Sequence, residues 1–257
     1  MKQMKWIVYL IFPVVLFTSC QTSKSIQRQM RGISSELFYE LTTPVYPGDF
    51  DTVVYLNPID YSALLPYTTV KKKGILVVPL LIFDLVQNKY NVTLGEASLT
   101  QPYYGFLTDA LLAQCKRSSR FNLKVRDDDA ILPDSALILD VKIIKNTTTA
   151  TMAFTDGLFI FPLMGDPVHQ FSNWEVNHPV STLEISACLL QQGNCLWKKT
   201  YSVSQDLSYQ HTGTDDSTSA YRTCIDDMTE CLSYTTKGIV ENITQNLNLL
   251  MLQKPAN

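Results

Sequence analysis

From Tyr221 onward, apolar and small residues recur every three or four positions: Tyr221, Cys224, Ile225, Met228, Leu232, Thr235, Ile239, Ile243, Leu247 and Leu250. This spacing lays one apolar stripe along a helix of about 30 residues. No other feature constrains the fold as strongly, because a stripe of that length has to be covered. The polar face is acidic and amide-rich and lacks the Lys/Arg excess of helices that lie on membranes. A sheet is therefore the expected cover. Asp215, Asp216 and Ser217 precede the stripe as capping residues and suit the positive end of the helix dipole.

Sheet-forming segments fill the middle of the chain. Leu137, Leu139, Val141 and Ile143 alternate with Ile138, Asp140, Lys142 and Ile144, the period of a strand with two unlike faces. Tyr90, Val92 and Leu94 alternate with Asn91 and Thr93, and a turn is expected near Gln87-Asn88. The run Gly74 to Phe83 is apolar but contains Pro79, which cannot donate to a ladder, so the segment is an edge strand or a strand broken there. Leu183–Leu190 and Cys195–Val203 read as a hairpin about Gln192-Gly193. Shorter strands are expected at Glu36–Leu41, Thr52–Leu56 and Phe121–Val125. A second helix should start near Pro102 and bury Phe106, Leu107, Ala110, Leu111 and Cys115. The fold class expected from this order is α+β, an antiparallel sheet of about four to six strands with two amphipathic helices packed on one face.

Composition narrows the class of partner. The chain is 46% apolar, 11% aromatic and 18% charged, with a net charge of −3. Disordered chains are poorer in aromatics and richer in charge. Nucleic-acid binding is not expected, because the basic content is scattered apart from Lys71-Lys72-Lys73.

The N-terminus reads as an address. Lys2 and Lys5 precede the apolar run Trp6 to Phe17, which as a helix would reach about 18 Å, short of a bilayer core. A basic start, a short apolar stretch and then small residues form a secretory signal. Leu16-Phe17-Thr18-Ser19-Cys20 resembles the cleavage region of bacterial lipoproteins, with Phe17 in place of the usual leucine three residues before the cysteine. The resemblance implies a signal peptide over 1–19, lipidation of Cys20, a polar tether over 20–33 and one α+β domain over 34–257. Gln21 follows the cysteine, so the resemblance places the protein at the outer membrane, facing the periplasm. Several acyl chains on one cysteine would hold it firmly to the membrane.

Five further cysteines follow. Cys188 and Cys195 flank the expected hairpin turn, and a four-residue loop would set them opposite each other as a possible disulfide. Cys115, Cys224 and Cys231 read as small buried hydrophobes. His169, His178 and His211 stand at no ligand spacing, and no Gly-x-Ser-x-Gly elbow or phosphate loop occurs. Neither a metal, a cofactor nor a catalytic residue is expected.

The least ordinary stretch is Gly157 to Gly165, in an expected insertion over about 150–180. It either folds back as a strand or cover on the core, or leaves Leu158, Phe159, Ile160, Phe161, Leu163 and Met164 exposed as candidates for contact with a partner or a lipid surface. The segment Tyr104 to Val125, a helix running through Ser-Arg-Phe into a short strand, resembles auxiliary lipoproteins of ABC-type transport systems. So do the strand, hairpin and closing helix that follow it. That resemblance implies a non-catalytic accessory or scaffold subunit acting through contacts with an envelope protein. The alternative is a lipid- or hydrophobe-binding module of a transport pathway.

Overall fold

The computed structural model describes residues 22–45, 51–59, 65–79, 83–127, 132–133, 135–159, 169–214 and 216–253. Three α-helices, eight strands and a short 3-10 turn at Glu96–Ser98 make up the described chain. The helices are α1 (Ser23–Met30), α2 (Tyr103–Ser118) and α3 (Ser217–Gln253). The strands are β1 (Val53–Leu56), β2 (Thr69–Pro79), β3 (Phe83–Thr93), β4 (Asn122–Val125), β5 (Leu137–Phe159), β6 (His169–Gln191), β7 (Asn194–Asp206) and β8 (Gln210–Thr214). Among the described residues, no helix is long and apolar enough to cross a membrane.

All eight strands join one sheet whose spine is the antiparallel β5–β6 hairpin, 23 residues on each side. The two ends of the spine have different neighbours. At the near end, β1 lies parallel to β5, β4 lies parallel to β1, and β7 pairs with β6. At the far end, β3 pairs with β5, β2 with β3, and β8 with β6. The sheet thus has more strands than expected and is mixed. Parallel pairing needs a crossover connection, and α2 lies between β1 and β4 in the chain. The α+β class itself stands.

Helix α3 covers one face of β6, β7 and β5 and also packs on α2. Its stripe of Tyr221, Cys224, Ile225, Met228, Leu232, Ile239, Ile243 and Leu247 is wholly buried. The polar run inside it is reconciled by back-bonding: Ser233, Thr235 and Thr236 donate to the carbonyls of Thr229, Cys231 and Leu232 one turn earlier. Thr236 Oγ1 also lies 2.8 Å from the Tyr103 hydroxyl and ties α3 to α2. The absence of a side chain at Gly238 brings α3 close to β7, where a Cβ would meet Val203 at 3.4 Å.

Four expectations need correction. The described residues of 150–180 are no insertion, because 149–159 and 169–177 continue the spine. The alternation is interrupted by bulges, which hide the continuation. Ile144 is an extra residue between the pairs Ile143–Ile185 and Lys145–Glu184, so the buried positions pass from odd numbers to even ones beyond it. On β6, His178 (φ 50°) and Pro179 face Ala150 alone. Nor is 20–33 a tether. Residues 23–30 form α1, which Thr22 caps through a bond from Ser25 N, with Ile26 and Met30 fully buried against the body. No turn lies at Gln87-Asn88, because both residues pair within β3. Glu36–Leu41 makes no ladder; the nearest pairing is the single bridge Ser35–Leu99. The expected signal peptide over 1–19 and Cys20 lie outside the described residues.

Candidate functional site

The near end of the sheet carries an apolar groove. Leu137 at the start of β5, Leu189 and Gln191 at the end of β6, Leu196 and Trp197 of β7, and Leu250 and Met251 of α3 enclose about 320 Å³. Local pairing builds it. The β6–β7 turn has positive φ at both Gln192 (52°) and Gly193 (75°), the two-residue hairpin turn that matches strand twist. Leu196 is then skipped, because Leu190 pairs with Cys195 and Leu189 with Trp197. This bulge turns Leu196 outward, and it is 52% exposed. Trp197 packs 6.3 Å from Tyr201, and Gln191 is fixed by donating to the Ser135 carbonyl at 3.0 Å. Strand β7 pairs with β6 alone among the described strands, so its other edge is free. Lys198 and Lys199 lie along it, both exposed, and Lys199 Nζ donates to Asn246 Oδ1.

The same bulge and the two-residue turn displace the cysteine pair. Cys188 pairs with Lys198, not with Cys195, so the two are not opposite as a four-residue loop would make them. Their sulfurs nevertheless lie 2.7 Å apart, within reach of a disulfide. Partial burial, then the Cys195 thiol, push the Cys188 thiol up to about 11. Burial raises Cys115 to about 12, and Cys224 rises through burial and then the Asp227 charge. A nucleophilic cysteine needs the opposite shift.

A polar recess of about 260 Å³ lies where the segment before residue 45 crosses α2 and α3. Its groups are spent on one another. Tyr39 donates to Gln114 Oε1, Gln114 Nε2 lies at hydrogen-bond distance of Thr43 Oγ1 and Ser118 Oγ, and Asn248 donates to the Ser118 carbonyl. The recess fastens the chain entering the domain.

At the far end, β8 meets α3 through His211 and Asp227, with Nε2 3.4 Å from Oδ1. Asp227 is 7% exposed and its second oxygen has no hydrogen-bond partner. Burial raises its carboxyl to about 6; His211 opposes the rise while Glu230 and Asp226 add to it. A native carboxyl held protonated above its unfolded value of 3.8 gives stability that is complete at low pH and is lost as pH rises through about 6. Asp227→Asn should therefore raise stability at pH 7 by about 1–2 kcal/mol, after discounting for solvent and for the weak pair with His211. It should also flatten the pH dependence between about 4 and 6. Urea titrations at pH 4 and pH 7 measure both. An unchanged pH slope would refute the assignment.

Of the residues singled out from sequence, Leu158 and Phe159 fall at the end of β5, in register with Asp84 and Phe83 of β3. Ile160, Phe161, Leu163 and Met164 lie outside the described residues. The groove was not anticipated, since it is assembled from three strands and the last turn of α3. The one signal available was the adjacent pair Leu196-Trp197, which breaks the alternation of the hairpin. His211 sits in β8. Among the described residues, no group of three or more His, Cys, Asp or Glu side chains converges as a metal site.

No family model matches the chain, and no curated protein matches it. Among solved structures, a Xanthomonas campestris protein of family DUF330 aligns with 85% of this chain and 98% of its own, at 13% identity and a TM-score of 0.42. A neuraminyllactose-binding hemagglutinin homolog from Helicobacter pylori, itself named as putative, aligns with 84% and 95% at 12% identity and a TM-score of 0.38. No residue role is carried over from either.

Proposed function

We propose that this chain is a non-catalytic envelope lipoprotein, anchored through Cys20 at the outer membrane and facing the periplasm. In this reading it serves as an accessory or scaffold subunit by docking an envelope protein. The observation that carries the docking is the groove beside the free edge of β7. An extended segment can add to a sheet edge through main-chain hydrogen bonds while side chains fill adjacent pockets. Here Leu196 and Trp197 offer the pocket, and Lys198 and Lys199 favour an acidic segment carrying one apolar anchor. The raised cysteine thiols and the self-satisfied polar recess support a binding role over catalysis. The apolar lining also suits a short acyl chain, which is the second reading.

Affinity purification of the tagged chain, compared with Leu196→Asp, tests the first reading. A protein retained by the native chain should fall by about tenfold or more with Leu196→Asp and persist with Ser202→Asp, on the same strand away from the groove. Displacement of a fluorescent fatty acid from the groove, with no protein dependent on Leu196, would favour the acyl reading instead. The anchor is tested separately by Cys20→Ser. Retention of that variant in washed membranes would overturn the localisation.

A further inference from the structure

The opposite end of the sheet is built differently. After Val70, which is buried, every described side chain of β2 from Lys71 to Val77 is exposed. Lys71, Lys72 and Lys73 come first, with Lys73 bulged out between the pairs Lys72–Tyr90 and Gly74–Lys89. Lys89 of β3 is also exposed and adds a fourth cation at the same level. Ile75, Leu76 and Val77 follow, at 53%, 52% and 40% exposure. Consecutive strand residues point to opposite faces, so among the described residues neither face of β2 is covered here.

Beyond Val77 the register continues across four strands at this end. Pro79 pairs with Asp84, Phe83 with Phe159, and Phe159 with His169. Acidic groups limit how deeply the end can bury. Asp156, level with Val86 and Val77, accepts a hydrogen bond from Ser172. Helix α1, which begins three residues after Cys20, packs against β2 itself.

We propose that this end of the sheet rests on an anionic lipid bilayer, with Ile75, Leu76 and Val77 in the headgroup–acyl boundary and Lys71, Lys72, Lys73 and Lys89 against lipid phosphates. The charge pattern selects this occupant. Apolar residues backed by a basic collar match a surface that is apolar below and negative above, and interfacial elements of this kind reach about 5–10 Å into the boundary. The inference is independent of docking at β7, which lies at the other end of the spine.

The test places a benzophenone amino acid at Leu76 of the whole chain, held on vesicles of phosphatidylethanolamine and phosphatidylglycerol, with a second chain carrying the probe at Ser202. Irradiation should give phospholipid adducts at position 76 and almost none at 202. Replacing Lys71, Lys72 and Lys73 by Gln should lower the yield by about tenfold, with the exposed positions leaving the melting temperature unchanged. Equal adducts at both positions, no adduct at 76, or insensitivity to the lysines would overturn the proposal. So would a protein adduct at 76 in native membranes without lipid adducts, which would assign this end to a protein partner.

Discussion

Gly95→Ala should destabilise the protein by about 3 kcal/mol or more, lowering the melting temperature by roughly 6–12 °C. A Cβ on Gly95 would fall on the carbonyl carbon of Tyr67 and the amide nitrogen of Thr68, which are backbone atoms that cannot swing aside. Gly95 has an ordinary φ of −119°, so the cost is steric and not conformational. Two chain segments are fastened here. Gly95 N donates to Thr68 Oγ1, Glu96 N to the Leu65 carbonyl and Ala97 N to the Pro66 carbonyl, while Thr68 Oγ1 lies 2.7 Å from Ser98 Oγ. Pushing them apart would break several of these bonds at once and leave Thr68 and Ser98, both buried, without partners. Gly74→Ala is the matched control, because its Cβ would meet nothing. Thermal melts of the two variants decide the matter, and a Gly95→Ala protein as stable as the Gly74→Ala protein would contradict the packing.

Ile26→Asp should release α1. The side chain is fully buried, and an unpaired carboxylate in that place costs several kcal/mol. Undocking eight residues is cheaper than unfolding the sheet, so the penalty should appear locally. Lys24, Arg28 and Arg31 provide trypsin sites on the segment. Cleavage there should accelerate by about a hundredfold or more, the factor that a loss of some 3 kcal/mol in local stability gives. Far-UV circular dichroism of the body should be nearly unchanged. Resistance to trypsin equal to that of the native chain would mean that α1 contributes nothing to holding the entering segment.

Much of the fold is readable from the sequence where period and punctuation agree. The α3 stripe, the start of α2 at Pro102, the edge position of β2 ending at Pro79 and the turn at Gln192-Gly193 each follow from a local rule. What escapes has a physical cause. The continuation of β5 past Ile143 is masked because Ile144 and Lys145 are both exposed, and the buried positions resume at Asn146 and Thr148, which are polar. α1 escaped because its sequence, Ser-Lys-Ser-Ile-Gln-Arg-Gln-Met, has two apolar residues in eight, enough for one buried contact patch but too few for a period. β8, Gln-His-Thr-Gly-Thr, has no strand signature at all. Its glycine is required by the Trp174 indole, which occupies the space a Cβ would need. The apolar stretch from Gly157 is unusual in the sequence itself, whereas Ile75–Val77 is notable only through its exposure on an edge strand. The groove at β7 was least legible, since none of its residues is adjacent in sequence to more than one other.

The two bulges of the spine also bear on how the length of such a chain can vary. In a paired strand, one residue gained or lost at Val141 or Ile185 would turn over every side chain beyond it. At Ile144 or His178 the same change removes or enlarges an irregularity and leaves each half on its own face. These positions act as expansion joints. Length can be added or removed there while the groove end keeps its pattern and the lysine-collared end keeps its own, so each end can diverge without dragging the other out of register.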